Sequence, residues 1–203
     1  MSEHSISSPV LAVLEDMARV VAGVRPEQSA LPTPCEGFDV AALQQHLLGW
    51  LDLFRVALSD PAGRDRPEPS AYQGPKDPEA AAAEIRHVAG TVRAALENDV
   101  ESGNVDIPRL GGELPGALVI HNLLAEVLGH GWDLARATGQ RWDPDPAICE
   151  QALAALKPVL LPEYRGAGMP FGPEIDVSPD ASALDRFVAF TGRSPDWAAR
   201  AQG

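Results

Sequence analysis

Cysteine is scarce in this chain. Cys35 and Cys149 are the two thiols in 203 residues, too few for the disulfide framework that staples small secreted domains. The first residues lack the basic and apolar regions of a secretory leader, so a reducing cytoplasm is the expected compartment. No apolar run approaches the roughly 20 residues needed to cross a bilayer as a helix, and no membrane partner is expected. Positive charge is also short: 16 Lys and Arg stand against 29 Asp and Glu, for a formal charge of -13 and a pI near 4.7. Phosphate backbones and anionic headgroups select the opposite sign, which argues against nucleic acid. Strand signals are nearly absent. A chain of this length buries a core without metal or disulfide staples, so its stability should not depend on an ion.

What is present is helical periodicity. Val10, Val13, Leu14, Met17, Val20, Val21 and Val24 recur at helical spacing and predict a first helix over about Ser8–Val24. Asp39 is placed to cap a second helix that carries Leu43, Leu47, Trp50, Leu51, Phe54 and Leu58 on one side and ends near Ser59–Pro61. From Pro61 to Pro78, prolines and charges with few large apolar residues read as a long exposed connection, placed to cover a site. A third helix is predicted from Pro78 to Glu97, with Ile85, Val88, Val92 and Leu96 as its buried stripe. Asn98–Gly116 reads as irregular. A fourth long helix spans about Pro115–Thr138 and stops at Gly139. A fifth lies near Pro146–Leu160, and the Pro/Gly-rich tail holds a short helical segment around Ser182–Phe190. The expected fold is all-α: one domain over 1–203, a four-helix bundle with long connections and 140–203 as a helical C-terminal extension. Such bundles commonly build metal sites from inward-facing side chains.

Three polar residues fall where a bundle interior is expected. Each helical residue turns about 100°, so Glu126 and His130 differ by about 40° and face the same way, whereas His121 lies about 180° from His130 and is excluded. His46 shares the apolar face of Leu43 and Trp50. An acid among Leu123, Leu124, Val127 and Leu128 needs compensation, and an ion shared with two imidazoles supplies it. Two His and one carboxylate form a recurrent set for a catalytic divalent metal with an open coordination position. The plainer alternative is a buried His bonded to a neighbour and an acid paired with an arginine; spacing alone leaves both readings open.

The stretches Leu31-Pro-Thr-Pro-Cys-Glu-Gly-Phe-Asp-Val-Ala-Ala-Leu-Gln-Gln-His-Leu-Leu-Gly-Trp50 and Glu126-Val-Leu-Gly-His-Gly-Trp-Asp-Leu-Ala-Arg-Ala-Thr-Gly139 resemble the mycothiol-dependent maleylpyruvate isomerase family of the DinB/YfiT-like superfamily. The segments Phe171-Gly-Pro-Glu-Ile-Asp-Val-Ser-Pro179 and Ala183-Leu-Asp-Arg-Phe-Val-Ala-Phe-Thr-Gly-Arg193 look like the C-terminal signature of a shorter, uncharacterised branch. The resemblance implies a DinB/YfiT-like four-helix bundle holding a divalent metal, zinc first, with nickel or iron as other ions, on His46, Glu126 and His130. It also implies mycothiol as cosubstrate, its metal-bound thiolate attacking a small electrophile in isomerisation or S-transfer. Full maleylpyruvate isomerases resemble a bundle followed by an α/β domain, and residues 140–203 carry no clear strand pattern. Maleylpyruvate is therefore not the expected substrate.

Trp50, Trp132 and Asp133 are candidates for the substrate cavity, although large aromatics in a bundle are more often core. Asp133 could orient the imidazole of His130; pairing with Arg136 at i+3 is the preferred reading. Cys35, just before the second helix, is a weaker candidate for a fourth ligand or reactive thiol, and Cys149 weaker still. Arg109, Arg141 and Arg165 could meet a carboxylated substrate but read first as surface charges. No residue is assigned a catalytic role. The expected partners are a small-molecule electrophile and a low-molecular-weight thiol, and the chain a monomer or homodimer. A metal-dependent hydrolase, with Asp133 as the sequence-near base, and a non-catalytic metal- or ligand-binding stress protein are the rival readings.

Overall fold

The computed structural model describes residues 7–198; the remaining residues of the single expected domain 1–203 lie outside the described ones. Six helices dominate: α1 Ser7–Ala22, α2 Val40–Ser59, α3 Pro78–Glu97, α4 Gly116–Thr138, α5 Pro146–Leu156 and α6 Ala183–Phe190. The fold is all-α, as the periodicity predicts, and DinB-like, as the resemblance implies.

The helix starts follow from their caps. Asp39 accepts the Ala42 amide at 2.8 Å, Asp77 the Ala80 amide at 2.9 Å and Asp145 the Ala147 amide at 2.8 Å, each satisfying an N–H that the helix itself leaves unpaired. Gly139, at φ 70°, ends α4 in the left-handed conformation. α5 stops at Leu156 rather than at the expected Leu160, because Pro158 has no amide hydrogen with which to continue the helical hydrogen-bond ladder.

In the bundle α1 packs on α3 and α4, and α2 also packs on α3 and α4, so α1 and α2 stand diagonally across the core. Val10, Leu14, Met17, Leu43, Leu47, Ile85, Ile120 and Leu124 are each 0 % exposed, and burial of each such side chain stabilises by roughly 1.5–3 kcal/mol before entropy costs. α5 packs against α4, and α6 against α5, so the extension leans on the helix that carries Glu126 and His130.

One expectation needs correction. Asn98–Gly116 is not irregular: β1 Asn104–Ile107 pairs antiparallel with β2 Gly112–Pro115. Val105 and Ile107 are buried while Asn104 is exposed, which is strand alternation, but four residues between Gly103 and Pro108 are too few to register as a period. Gly111 (φ 110°) and Gly112 (φ 106°) reverse the chain where a Cβ would be strained.

The Pro61–Pro78 connection is largely exposed, as expected, yet tied to α2. Gln45 donates to the Pro75 carbonyl at 3.3 Å and accepts from the Gly74 amide at 3.0 Å. Pro69 is buried against Gly49, where a Cβ would stand 2.3 Å from the Pro69 carbonyl oxygen. Arg66 adds a bond to the Asp106 carbonyl at 2.8 Å, joining connection and hairpin.

Candidate metal centre

His46 projects from α2, and Glu126 and His130 lie one turn apart on the adjacent α4. Glu126 Oε1 is 3.3 Å from His130 Nε2 and 3.9 Å from His46 Nε2, and the two imidazole centroids are 5.3 Å apart at 86°. One ligand atom from each residue falls within 4.8 Å of the others. Glu126 Oε1 is buried and makes no hydrogen bond, a costly state for a carboxylate oxygen. Three donor atoms that converge at 3.3 and 3.9 Å suit a cation between them. His46 is 33 % and Glu126 23 % exposed at the side chain, whereas His130 is 8 %, so the cluster opens to solvent from the His46 side.

The electrostatics agree. Burial opposes ionisation of Glu126, but the neighbouring His130, His46 and Arg193 outweigh it and hold its carboxyl below the usual range. Burial likewise opposes the imidazolium of His130, yet the Glu126 charge and the bond to Asp133 raise its pKa to about 9. His46 moves the other way, lowered by burial against the pull of Glu126. The cluster is thus a carboxylate with one proton's worth of positive charge beside it, a role that a bound cation takes over.

Behind His130 lies a second layer. Asp133, 0 % exposed, meets His130 Nδ1 through Oδ2 at 3.0 Å, which leaves Nε2 directed at Glu126. Arg193 binds the same carboxylate from the far side, Nε to Oδ1 at 2.9 Å and Nη2 to Oδ2 at 2.8 Å, and the Asp133 pKa is lowered because this cation and His130 outweigh burial. The preferred pairing of Asp133 with Arg136 is therefore not made: Arg136 donates to the Pro195 carbonyl and lies 5.4 Å over the Trp132 ring. Arg193 reaches the site because α6 ends at Phe190 and Gly192, at φ 88°, turns the chain back against α4. It escaped sequence reasoning although it closes the last stretch that resembles the family.

The other candidates separate. Trp50 is half-buried, its ring centroid 6.4 Å from that of His46, and stands beside the cluster. Trp132 is 3 % exposed and packed in the core; together with the enclosed Asp133 it does not line an open cavity, since both side chains turn inward on α4. Phe38, which the sequence did not single out, lies 4.9 Å from the His46 ring. Cys35 offers its sulfur to a second group with His130 and Asp133, but burial and the Asp133 charge push its thiol up to about 11. Cys149 is fully buried in α5. His121 donates from Nδ1 to the Ala117 carbonyl at 2.8 Å, and is absent from both ligand groups among the described residues. Arg141 pairs with Asp143 and Arg165 with the Gly172 and Phe190 carbonyls.

The fold is a helical bundle of the DinB type, and in it two imidazoles and a carboxylate converge from α2 and α4, the kind of inward-facing set such bundles can place between helices. Within that class the family described as mycothiol maleylpyruvate isomerase N-terminal domain matches residues 10–135, and the chain belongs to this family. Two uncharacterised proteins, from two strains of Mycobacterium tuberculosis, are each 33 % identical over 180 residues, covering 87 % of this chain and 91 % of theirs. No solved structure matches significantly. No helix among the described residues is long and apolar enough to cross a membrane.

Proposed function

We propose that the chain is a divalent-metal enzyme, zinc being the first candidate ion, that uses mycothiol to transform a small electrophile. The observation that carries this reading is the buried Glu126 Oε1, without a hydrogen bond, facing Nε2 of both His46 and His130. Membership of a mycothiol-related isomerase family supports the choice of thiol. When bound, such an ion stabilises a thiolate at neutral pH.

The protein's own residues divide the remaining work. His46, Glu126 and His130 would hold the ion, and Asp133, itself fixed by Arg193, keeps His130 Nδ1 engaged so that Nε2 stays available. Phe38 and Trp50 flank His46 with apolar surface that sheds water from a reacting sulfur. The reaction class is addition of the thiol sulfur to an electrophilic carbon. Expulsion of that sulfur gives isomerisation; its retention gives S-transfer. Hydrolysis is less well supported, because Asp133, the sequence-near base, is enclosed by Arg193 and His130.

Metal analysis and turnover test the proposal together. Purified protein is expected to hold one equivalent of divalent metal, lost in His46→Ala, and to consume electrophiles with mycothiol but not without a thiol. Thiol-independent turnover would instead establish a hydrolase, and metal binding without turnover a binding module.

A further inference from the structure

We propose that Arg109 receives a carboxylate of the small molecule handled at the His46/Glu126/His130 cluster, and that Glu68 is a resident occupant which this carboxylate displaces. The inference names a substrate feature and rests on the reading of that cluster as the reacting centre.

The geometry is a stripe that leaves the cluster along α2. His46 and Trp50 are one helical turn apart and both half-exposed, so they share one partly solvent-facing side of α2. Trp50 spans the interval: its ring lies 6.4 Å from His46 on one flank and is covered by the Arg109 guanidinium carbon at 5.6 Å, a cation–π contact. Beneath it, Phe54 at 6.2 Å supports the indole from the core. A ligand whose reactive carbon sits by His46 would lay its chain across Trp50 and end at Arg109. The other guanidinium near the cluster, Arg193, is already committed to Asp133.

The occupancy of Arg109 is exchangeable. Its Nη1 donates to Glu68 Oε2 at 2.7 Å, with the two side chains 45 % and 48 % exposed, and exposed pairs of this kind add little net stability. Among the described residues Arg109 makes no other hydrogen bond, so most of its planar fork is free to match a carboxylate in two-point fashion. Both partners are nevertheless held in place without each other. The Glu68 carboxylate accepts from Ser70 Oγ at 2.8 Å, in a segment seated by Pro69 on Gly49. Arg109 stands at the hairpin tip, which is tied to the connection by the Asp106 amide on the Pro61 carbonyl at 2.8 Å and by Arg66 on the Asp106 carbonyl. A loop tie would be redundant beside the two bonds that already join hairpin and connection. A single cation on a chain of formal charge -13 suits a monoanionic carboxylate better than a phosphate dianion.

Binding of succinamate and of its neutral analogue succinamide, followed by tryptophan fluorescence and calorimetry, tests this in the zinc-loaded and metal-free protein. Wild type is expected to prefer succinamate by about fivefold or more in both forms. Arg109→Gln should remove the preference, and Glu68→Gln should tighten succinamate further by freeing the receptor. A preference that survives Arg109→Gln means that the ion or another group reads the carboxylate, and it overturns the proposal while leaving the metal reading intact. Equal binding of both probes by wild type also overturns it. Should Arg109→Gln fail to fold, Glu68→Gln decides: unchanged or weaker succinamate binding makes the pair a structural tie. An Arg109-dependent preference without thiol-dependent turnover would sustain the receptor and refute the proposed reaction.

Discussion

Arg193→Met tests whether the layer behind His130 is what the geometry says. The substitution keeps an apolar stem of similar length and removes the cation from Asp133, a carboxylate 0 % exposed that accepts three hydrogen bonds from Arg193. Breaking one side of a buried ion pair costs about 3–5 kcal/mol, because the remaining charge is left uncompensated. At about 2–4 °C per kcal/mol for a chain of this size, the expected loss in Tm is roughly 6–20 °C. Urea unfolding in the presence of chelator reads this without metal linkage. Asp133→Leu combined with Arg193→Met removes both charges and should recover most of the loss, since apolar replacement of a buried pair is often near neutral. The double variant nevertheless deprives His130 Nδ1 of its acceptor, and metal affinity, measured by competition with a chromophoric chelator, should stay about 10–100-fold below wild type. Stability and metal affinity should therefore part company. A cost for Arg193→Met below about 1 kcal/mol, the range of an exposed pair, would refute the reasoning, as would a double variant no more stable than the single one.

Gly49→Ala places a Cβ 2.3 Å from a backbone oxygen of Pro69, so the connection must lift; a loss of about 1–3 kcal/mol in urea unfolding and a red-shifted tryptophan emission are expected, and wild-type values for both would contradict the seat. Cys149, whose thiol burial raises from 9.0 to about 12, contributes stability that is present below pH 9 and lost as pH rises toward 12, because the unfolded chain releases its proton first. Cys149→Ser should flatten that alkaline decline, and an unaltered pH profile would show that other groups cause it.

The legible and illegible parts of the site differ in the range of the geometry that makes them. Glu126 and His130 are related by a single helix, so 3.6-residue periodicity alone sets their common face and separates His121 from them. His46 was readable for a similar reason, since its place in the apolar stripe of α2 implied an inward direction. Arg193 lies 60 residues beyond Asp133, and no local rule fixes which cation folds back onto a given acid. The signal available was indirect: Asp133 is three residues from His130 in an apolar run, and an acid that deep needs a cation, which Arg136 at i+3 seemed close enough to supply. That local pairing is not made because Asp133 faces Arg193, in the segment after α6, while Arg136 lies over Trp132. The hairpin escaped for another reason, as β1 offers only two buried positions and β2 none, and the glycines between them read as loop.

Under the proposed metal reading, Glu126 Oε1 is the atom that tells a functional polar cluster from a structural one. A buried carboxylate placed for stability alone would be expected to accept aligned hydrogen bonds, as Asp133 does from Arg193, because each unmade bond costs roughly 1–3 kcal/mol. Here the two carboxylates sit one helical turn and three residues apart around the same imidazole, yet only Asp133 is satisfied. The fold thus uses Arg193 to fix Asp133 at the back of His130 and leaves Glu126 Oε1, at the front of the ring with His46, without a hydrogen bond. That asymmetry is hard to account for by packing, since Arg193 is near enough to depress the Glu126 pKa without bonding it, and it follows directly if the front position is reserved for an exchangeable ion.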